Sequence, residues 1–167
     1  NVNSFSEATV IDYLIIGNGV AGDAAGRQIR QLDQTGKITI LTREEFPFYH
    51  RPRLVNVLGE RAEKEDIVIH DEKWYRDNEI DLKLSEECVE IDTSKNQVLT
   101  QSGNGYNYER LLIATGATPI VPPIKGTDKE NVYTFRDMND AQLIRKKAKG
   151  AKNTIVLGGG LLGLESA

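Results

Sequence analysis

Short apolar runs, bounded by glycine, proline and charged turns, alternate along this chain with stretches of helical spacing. Leu14-Ile15-Ile16 breaks into Gly17-Asn18-Gly19-Val20-Ala21-Gly22. Ala21, Ala24, Ala25, Ile29 and Leu32 then recur at helical spacing, which predicts a helix over Val20–Leu32 with those residues on its inner face. Gly26 inside that helix costs about 1 kcal/mol relative to alanine, so its expected reason is close packing on a sheet. Asp33-Gln34-Thr35-Gly36 closes the helix, with Gly36 as a left-handed cap. Ile38–Leu41 predicts a second strand, which leads into Arg43-Glu44-Glu45.

Further along, Phe46 to Leu54 reads as an aromatic and basic loop with two prolines, and residues 62–66 as a charged connector. Asp71 is the expected N-cap of a short helix over Glu72–Asp77, with Trp74 and Tyr75 anchoring it to the core. Three strand-like runs follow at Ile80–Leu84, Cys88–Ile91 and Gln97–Thr100, read with their turns as an antiparallel meander. Tyr106 and Tyr108 lead into Leu111-Leu112-Ile113, a fully apolar strand of the buried parallel type. After a proline connector (Pro119, Pro122, Pro123), Asp137 caps a helix with Asp140 at its third position. The last turn of that helix carries Arg145, Lys146 and Lys147, charges that suit the helix dipole and are expected to be solvated. Asn153–Leu157 and Gly158-Gly159-Gly160-Leu161-Leu162-Gly163 repeat the opening pattern of apolar strand and glycine turn. Residues 1–9 read as a frayed or engineered lead-in.

Strand, glycine turn, helix, strand and acid is the order that a dinucleotide site requires. Gly17 makes the tight turn, Gly19 lets the backbone approach a diphosphate, and Gly22 lets the helix pack closely on the strand. The free N–H groups and partial positive charge at the helix start hold the phosphates. Glu44 lies 44 − 22 = 22 residues beyond Gly22, where a carboxylate accepts both ribose hydroxyls. Arg51 and Pro52, in the loop that follows, are expected against a planar anionic ligand; a rigid surface loop with solvated arginines is the competing reading. A catalytic pairing of Glu44 with Glu45 is disfavoured, since neighbours at a strand end point in different directions.

Composition narrows the field. A length of 167 residues suits one domain with a real core, and a net charge of −4 gives no support for nucleic acid or an anionic membrane as partner. No apolar run approaches a membrane span, and one cysteine, Cys88, excludes a disulfide framework and fits a reducing cytoplasm. Its neighbours Glu87 and Val89 supply no base, so Cys88 reads as an inert strand residue rather than a nucleophile. His50 and His70 have no partner at ligand spacing, so no metal site is assigned, and no catalytic residue either.

Four segments in order carry a family resemblance. They are Gly17-x-Gly19-x-x-Gly22 with Glu44; Tyr49-x-Arg51-Pro52-x-Leu54; Tyr108-x-x-Leu111-Leu112-Ile113-Ala114-Thr115-Gly116-Ala117-Thr118-Pro119; and Gly158-x-Gly160-x-x-Gly163-x-Glu165. Together they resemble the FAD-dependent pyridine nucleotide-disulfide oxidoreductase superfamily, in its ferredoxin- and rubredoxin-reductase-like branch. The resemblance implies an α/β, Rossmann-like FAD-binding domain with a parallel sheet and an inserted antiparallel β-meander, over residues 1–152. Residues 153–167 would be the first strand and glycine turn of a truncated NAD(P)-binding domain, the chain being an N-terminal fragment. It further implies that Gly17, Asn18, Gly19, Val20, Ala21 and Gly22 bind the ADP half of FAD, and that Glu44, beside Arg43, holds its ribose. Arg51 and Pro52 would lie near the flavin, the main chain around Cys88 would meet adenine, and Ala114, Thr115 and Gly116 would close over the phosphates. Gly158, Gly160 and Gly163, with Glu165, would open the NAD(P)H site. The implied reaction is hydride transfer from NAD(P)H to FAD and electron delivery to an external acceptor such as rubredoxin or ferredoxin. Neither region in which disulfide-active relatives keep cysteine holds one here, and Asn56 stands where many ferredoxin-reductase relatives carry lysine. The competing implications are part of a nitrite reductase large subunit, an NADH oxidase, or a redox-sensing protein that binds FAD and NADH without turnover. The isolated chain is expected to hold FAD weakly and not to oxidise NADH.

Overall fold

A computed structural model describes residues 10–167; the lead-in at 1–9 lies outside the described residues. The chain forms two compact units. The first runs to Phe48 and resumes over Ile69–Gly116; the second comprises Tyr49–Val68 and Ala117–Ala167.

The first unit is built on one six-stranded sheet. Its strands are β1 (Ile11–Ile16), β2 (Ile38–Leu41), β3 (Ile80–Lys83), β4 (Cys88–Asp92), β5 (Gln97–Thr100) and β6 (Gly105–Ile113), in the order β3-β2-β1-β6-β5-β4. β1 pairs in parallel with β2 (Ile16 opposite Leu41) and with β6 (Ile16 opposite Ile113). Alternation along the strands feeds two cores. Ile15, Ile38, Ile40 and Ile80 point to one face, where Tyr75 completes the cluster, and Leu14, Ile16 and Leu41 to the other, with Val98 and Tyr108. Burial on both faces is why these strands read as continuous apolar runs instead of alternating ones.

Two strand expectations are corrected. The run at Ile80 is not part of the meander, because β3 pairs in parallel with β2 and extends the central sheet. Tyr106 and Tyr108 do not lead into a separate strand. They belong to the nine-residue β6, antiparallel to β5 over Gly105–Asn107 and parallel to β1 from Tyr108 onward. β5 stops pairing at Asn107, and the end of β6 is not buried as its apolarity suggests: Ile113 is 59% exposed.

Helix α1 spans Val20–Leu32, as its periodicity predicts, but its inner face is only partly the expected one. Gly22, Asp23 and Gly26 are buried, whereas Ala21 and Ala24 are exposed and Leu32 is 81% exposed. Ala25 and Ile29 pack on the Ile15–Ile40 core as expected, and Gly26 makes the close approach to the sheet expected of it: a Cβ there would lie 3.0 Å from Ile40 Cδ1. Gly36 is not a left-handed cap. The C-cap is Asp33, whose carboxylate accepts the N–H groups of Thr35 and Gly36 at 3.0 and 2.8 Å. Arg30 then ties this corner to the end of helix α3 (Glu72–Asp77), donating to the carbonyls of Asn78 and Glu79 at 3.0 and 2.7 Å. Asp71 caps α3 through Trp74 N–H at 2.8 Å, as expected.

In the second unit the expected loop to Leu54 becomes a 3-10 turn at Arg51–Arg53 and a short helix, α2 (Leu54–Leu58). The charged connector likewise closes as a 3-10 turn, Lys64–Ile67, with Glu63 and Asp66 forming a reciprocal cap. Helix α4 (Met138–Ala148) starts at the Asp137–Asp140 capping box and packs on α2. Arg145 is not merely solvated, since it pairs with Glu60 and Glu63 at 2.9 and 3.4 Å. Residues 154–157 form no strand. Among the described residues nothing pairs with them, and Ile155 is 91% exposed. A strand's N–H and C=O groups need a neighbour that apolarity cannot supply. The glycine turn beyond still folds, and α5 (Leu161–Ser166) follows it.

Candidate dinucleotide site

At the carboxyl ends of β2, β1 and β6 the backbone is locked by two hydrogen bonds. Gly17 N–H donates to the Leu41 carbonyl at 2.7 Å, and Ala114 N–H donates to the Ile16 carbonyl at 2.8 Å. β1 continues through α1 to β2 on one side and has β6 on the other. This is the switch point at which open parallel sheets leave a crevice.

The glycines there have separable reasons. Gly17 has φ +105°, and a Cβ on it would meet the Ala114 carbonyl oxygen at 2.3 Å. At Gly22 the hypothetical Cβ falls 1.8 Å from the Gly17 carbonyl oxygen. Gly19, the N-cap of α1, differs from both. Its φ of −83° suits any residue, and a Cβ would meet nothing within 4 Å. Neither φ nor packing requires glycine at 19; as an N-cap without a side chain it leaves the space before the α1 N-terminus open.

The residues present fit a diphosphate. No side chain caps the start of α1, so its first N–H groups face outward. Beneath them Asn18 is only 9% exposed, and its Nδ2 is a buried donor with no protein partner. On the far side Ala114, Thr115 and Gly116, the last at φ +72°, leave β6. Glu44 sits in the bend after β2. Its N–H donates to Thr42 Oγ1 at 3.2 Å, and its carbonyl accepts from Ser85 N–H at 3.1 Å. Thr42 in turn accepts from Glu86 N–H at 2.8 Å, so residues 85–86, just before Cys88, lie alongside the acid. Burial pushes the Cys88 thiol up, away from thiolate, and its sulfur contacts the Glu90 carbonyl at 3.7 Å.

The structure therefore brings Gly17–Gly22, Glu44, the segment before Cys88 and Ala114–Gly116 into the first unit. Arg51, Pro52, Gly158, Gly160, Gly163 and Glu165 belong to the second. Arg51 donates to the Arg136 carbonyl at 2.9 Å and lies over the Tyr49 ring at 5.0 Å. Gly158 (φ +128°) and Gly163 repeat the first turn: a Cβ on Gly163 would lie 2.1 Å from the Gly158 carbonyl oxygen.

Pattern reading missed a buried polar group under the first turn. Asp23, 1% exposed, accepts from Arg27 Nε at 2.9 Å and meets His70 Nδ1 at 2.7 Å. The Tyr75 hydroxyl lies 3.2 Å from Asp23 Oδ1 and 3.1 Å from Asn18 Oδ1. Burial, foremost, holds the Tyr75 hydroxyl protonated far above the ordinary range. A lone aspartate among small helical residues was the only signal, and its partners are remote in sequence.

Sheet order, glycine turn and acid define a dinucleotide-binding α/β protein of Rossmann type. The family model "Pyridine nucleotide-disulphide oxidoreductase" matches residues 11–167, and the chain belongs to that family, whose members use FAD and NAD(P)H. It is 37% identical over 155 residues to the nitrite reductase [NAD(P)H] of Bacillus subtilis (strain 168), covering 92% of this chain and 19% of that protein. To the rubredoxin-NAD(+) reductase of Pseudomonas putida it is 35% identical over 155 residues, covering 92% and 40%. The crystal structure of NADH:rubredoxin oxidoreductase from Clostridium acetobutylicum superposes with a TM-score of 0.83 at 30% identity, over 93% of this chain and 40% of that one. The chain thus spans between about a fifth and two fifths of the length of these relatives. Among the described residues no helix is long and apolar enough to cross a membrane, and no cluster of three metal-ligating side chains occurs.

Proposed function

We propose that this chain is the FAD-binding portion of an NAD(P)H-dependent flavoprotein of the cytoplasm, passing electrons from NAD(P)H through FAD to a rubredoxin- or ferredoxin-like acceptor. The observation that carries the reading is Gly19, a glycine required neither by its φ nor by any neighbour. A phosphate approaching the main chain at that point supplies the missing reason. In this reading the N–H groups at the start of α1 bind the diphosphate, and Glu44 takes the adenosine ribose. Main chain near Cys88 borders adenine, and Ala114–Gly116 shields the phosphates from water. Arg51 and Pro52 lie toward the flavin. FAD, when bound, supplies the redox chemistry between nicotinamide and acceptor, and the protein supplies binding and orientation. Residues 1–152 form the FAD-binding part, and 153–167 begin the NAD(P)-binding part with Gly158, Gly160, Gly163 and Glu165.

A second reading, part of a nitrite reductase, is favoured by the 37% identity to the Bacillus subtilis enzyme. Two experiments test these readings. Calorimetric titration of this chain with ADP-ribose, which asks only for residues of the first unit, is expected to give saturable one-to-one binding. Glu44→Ala should weaken that binding roughly tenfold or more through lost charge-assisted hydrogen bonds. The full-length protein is expected to purify yellow and to oxidise NADH or NADPH with a dye. Reduction of rubredoxin or ferredoxin, but not nitrite, selects the first reading over the second.

A further inference from the structure

The buried carboxylate of Asp23 stands in an awkward place for a protein that binds a diphosphate. It follows Gly22 directly, and its N–H bonds the Gly19 carbonyl at 2.9 Å, so it belongs to the first turn of α1. A diphosphate and this carboxylate would compete for one positive helix end. Their repulsion would pass through protein and be weakly screened.

Asp23 is surrounded by groups that can offset that charge. Arg27, from the next turn of α1, holds one oxygen, and His70 Nδ1 meets the other at 2.7 Å. The groups facing His70 are few. α1 contributes Asp23 as its charged neighbour. α3 contributes Trp74, stacked at 3.9 Å and 12°, and Tyr75, edge-on at 6.3 Å. Phe48 lies at 6.0 Å from the segment after β2. A protonated His70 would therefore have a carboxylate at its edge and an indole face over its ring, and none of these four neighbours is a cation. Arg27 and a neutral His70 leave the cluster with no net charge; protonation adds one positive charge below the turn. The link upward is Tyr75, whose hydroxyl has one proton to give and two acceptors in reach, Asp23 Oδ1 and Asn18 Oδ1. A positive charge gained at His70 would weaken the pull of Asp23 on that proton and favour Asn18 as its acceptor.

We propose that diphosphate binding at the Gly17–Gly22 turn is coupled to protonation of His70, with Asp23 carrying the coupling and Tyr75 joining it to Asn18. The inference rests on the diphosphate reading given above. His70 acts here as a positioning residue, tuning the charge under the seat without touching the ligand.

ADP-ribose is the suitable probe, because its diphosphate is a diester that does not titrate near neutrality, unlike a terminal phosphate. Calorimetry on this chain between about pH 5.5 and 8.5, in buffers of different ionisation enthalpy, is expected to show proton uptake on binding and about tenfold tighter binding at the acid end. His70→Gln should abolish the uptake and leave affinity flat at the alkaline wild-type level. In wild-type protein the His70 ring resonance, distinguished from that of His50 by His50→Gln, should titrate at higher pH with ADP-ribose bound, as linkage requires. Binding without proton uptake, uptake that persists in His70→Gln, or an unmoved His70 titration each overturns the coupling while leaving the diphosphate reading intact. Absence of ADP-ribose binding at every pH overturns both. Should His70→Gln fail to fold, the wild-type resonance decides alone.

Discussion

A Cβ on Gly22 would press on the Gly17 carbonyl, whereas one on Gly19 would point into open space. The two substitutions to alanine should therefore separate folding from binding. Gly22→Ala is expected to cost about 1–3 kcal/mol in urea unfolding, as overpacking does, and to lose ADP-ribose binding with it. Gly19→Ala should keep the wild-type unfolding midpoint yet lose the ligand; retained binding would remove the main support for a phosphate at that position. Below the turn, Tyr75→Phe withdraws a hydroxyl shared by Asn18 and Asp23. Leaving buried acceptors short of a donor costs about 1–2 kcal/mol, readable as a lowered unfolding midpoint. The glycines were legible because their constraint is local backbone geometry. Asp23 was not, since its meaning depends on His70 and Tyr75, brought to it from 47 and 52 positions away.

Elements were read well where a cap or a period announced them, and poorly where a neighbour decided. Val20–Leu32 and Glu72–Asp77 have the expected bounds. The inner face of α1 followed hydrophobicity only at Ala25 and Ile29, because contact with Ile40 favours at Gly26 the residue with no side chain. β3 joined the parallel sheet and the 154–157 run joined none, both outcomes of pairing, which no single strand encodes. Helix α4 depends on its box: Asp137 accepts Asp140 N–H at 3.0 Å, and Asp140 returns to Asp137 N–H at 3.1 Å. Asp137→Ala is expected to lower stability by about 1 kcal/mol, with Asp137→Asn recovering most of it, measured by chemical denaturation.

For the molecule as a whole, the carboxylates set the acid limit. Hydrogen bonds from the Gly36 and Thr35 backbone hold Asp33 below the usual carboxylate range, and Arg145 with Lys149 does the same for Glu60. Burial opposes ionisation of Glu86, yet donors from Ser102, Thr100 and Asn104 outweigh it and lower its pKa. The same carboxylate, after burial, helps to push Tyr106 up to about 12. A carboxyl group depressed in the folded state stabilises above its unfolded value and loses that contribution as pH falls through the folded one. Thermal midpoints should therefore drop as pH falls from about 5 toward 3, and Glu86→Gln should start lower and fall less steeply. An unchanged slope in that variant would show that Glu86 does not contribute.

The sequence by itself determined what is local or periodic: the glycine turn, the helix that follows it, the capped starts of α3 and α4, and the family to which their order belongs. Tertiary structure alone decided which face of α1 is buried, how β6 serves two neighbours, and what lies beneath the Gly17–Gly22 turn. The reason is that backbone conformation and hydrophobic period are written in adjacent residues. Partners such as Asn18 and Tyr75, 57 positions apart, exist only once the sheet has closed between them.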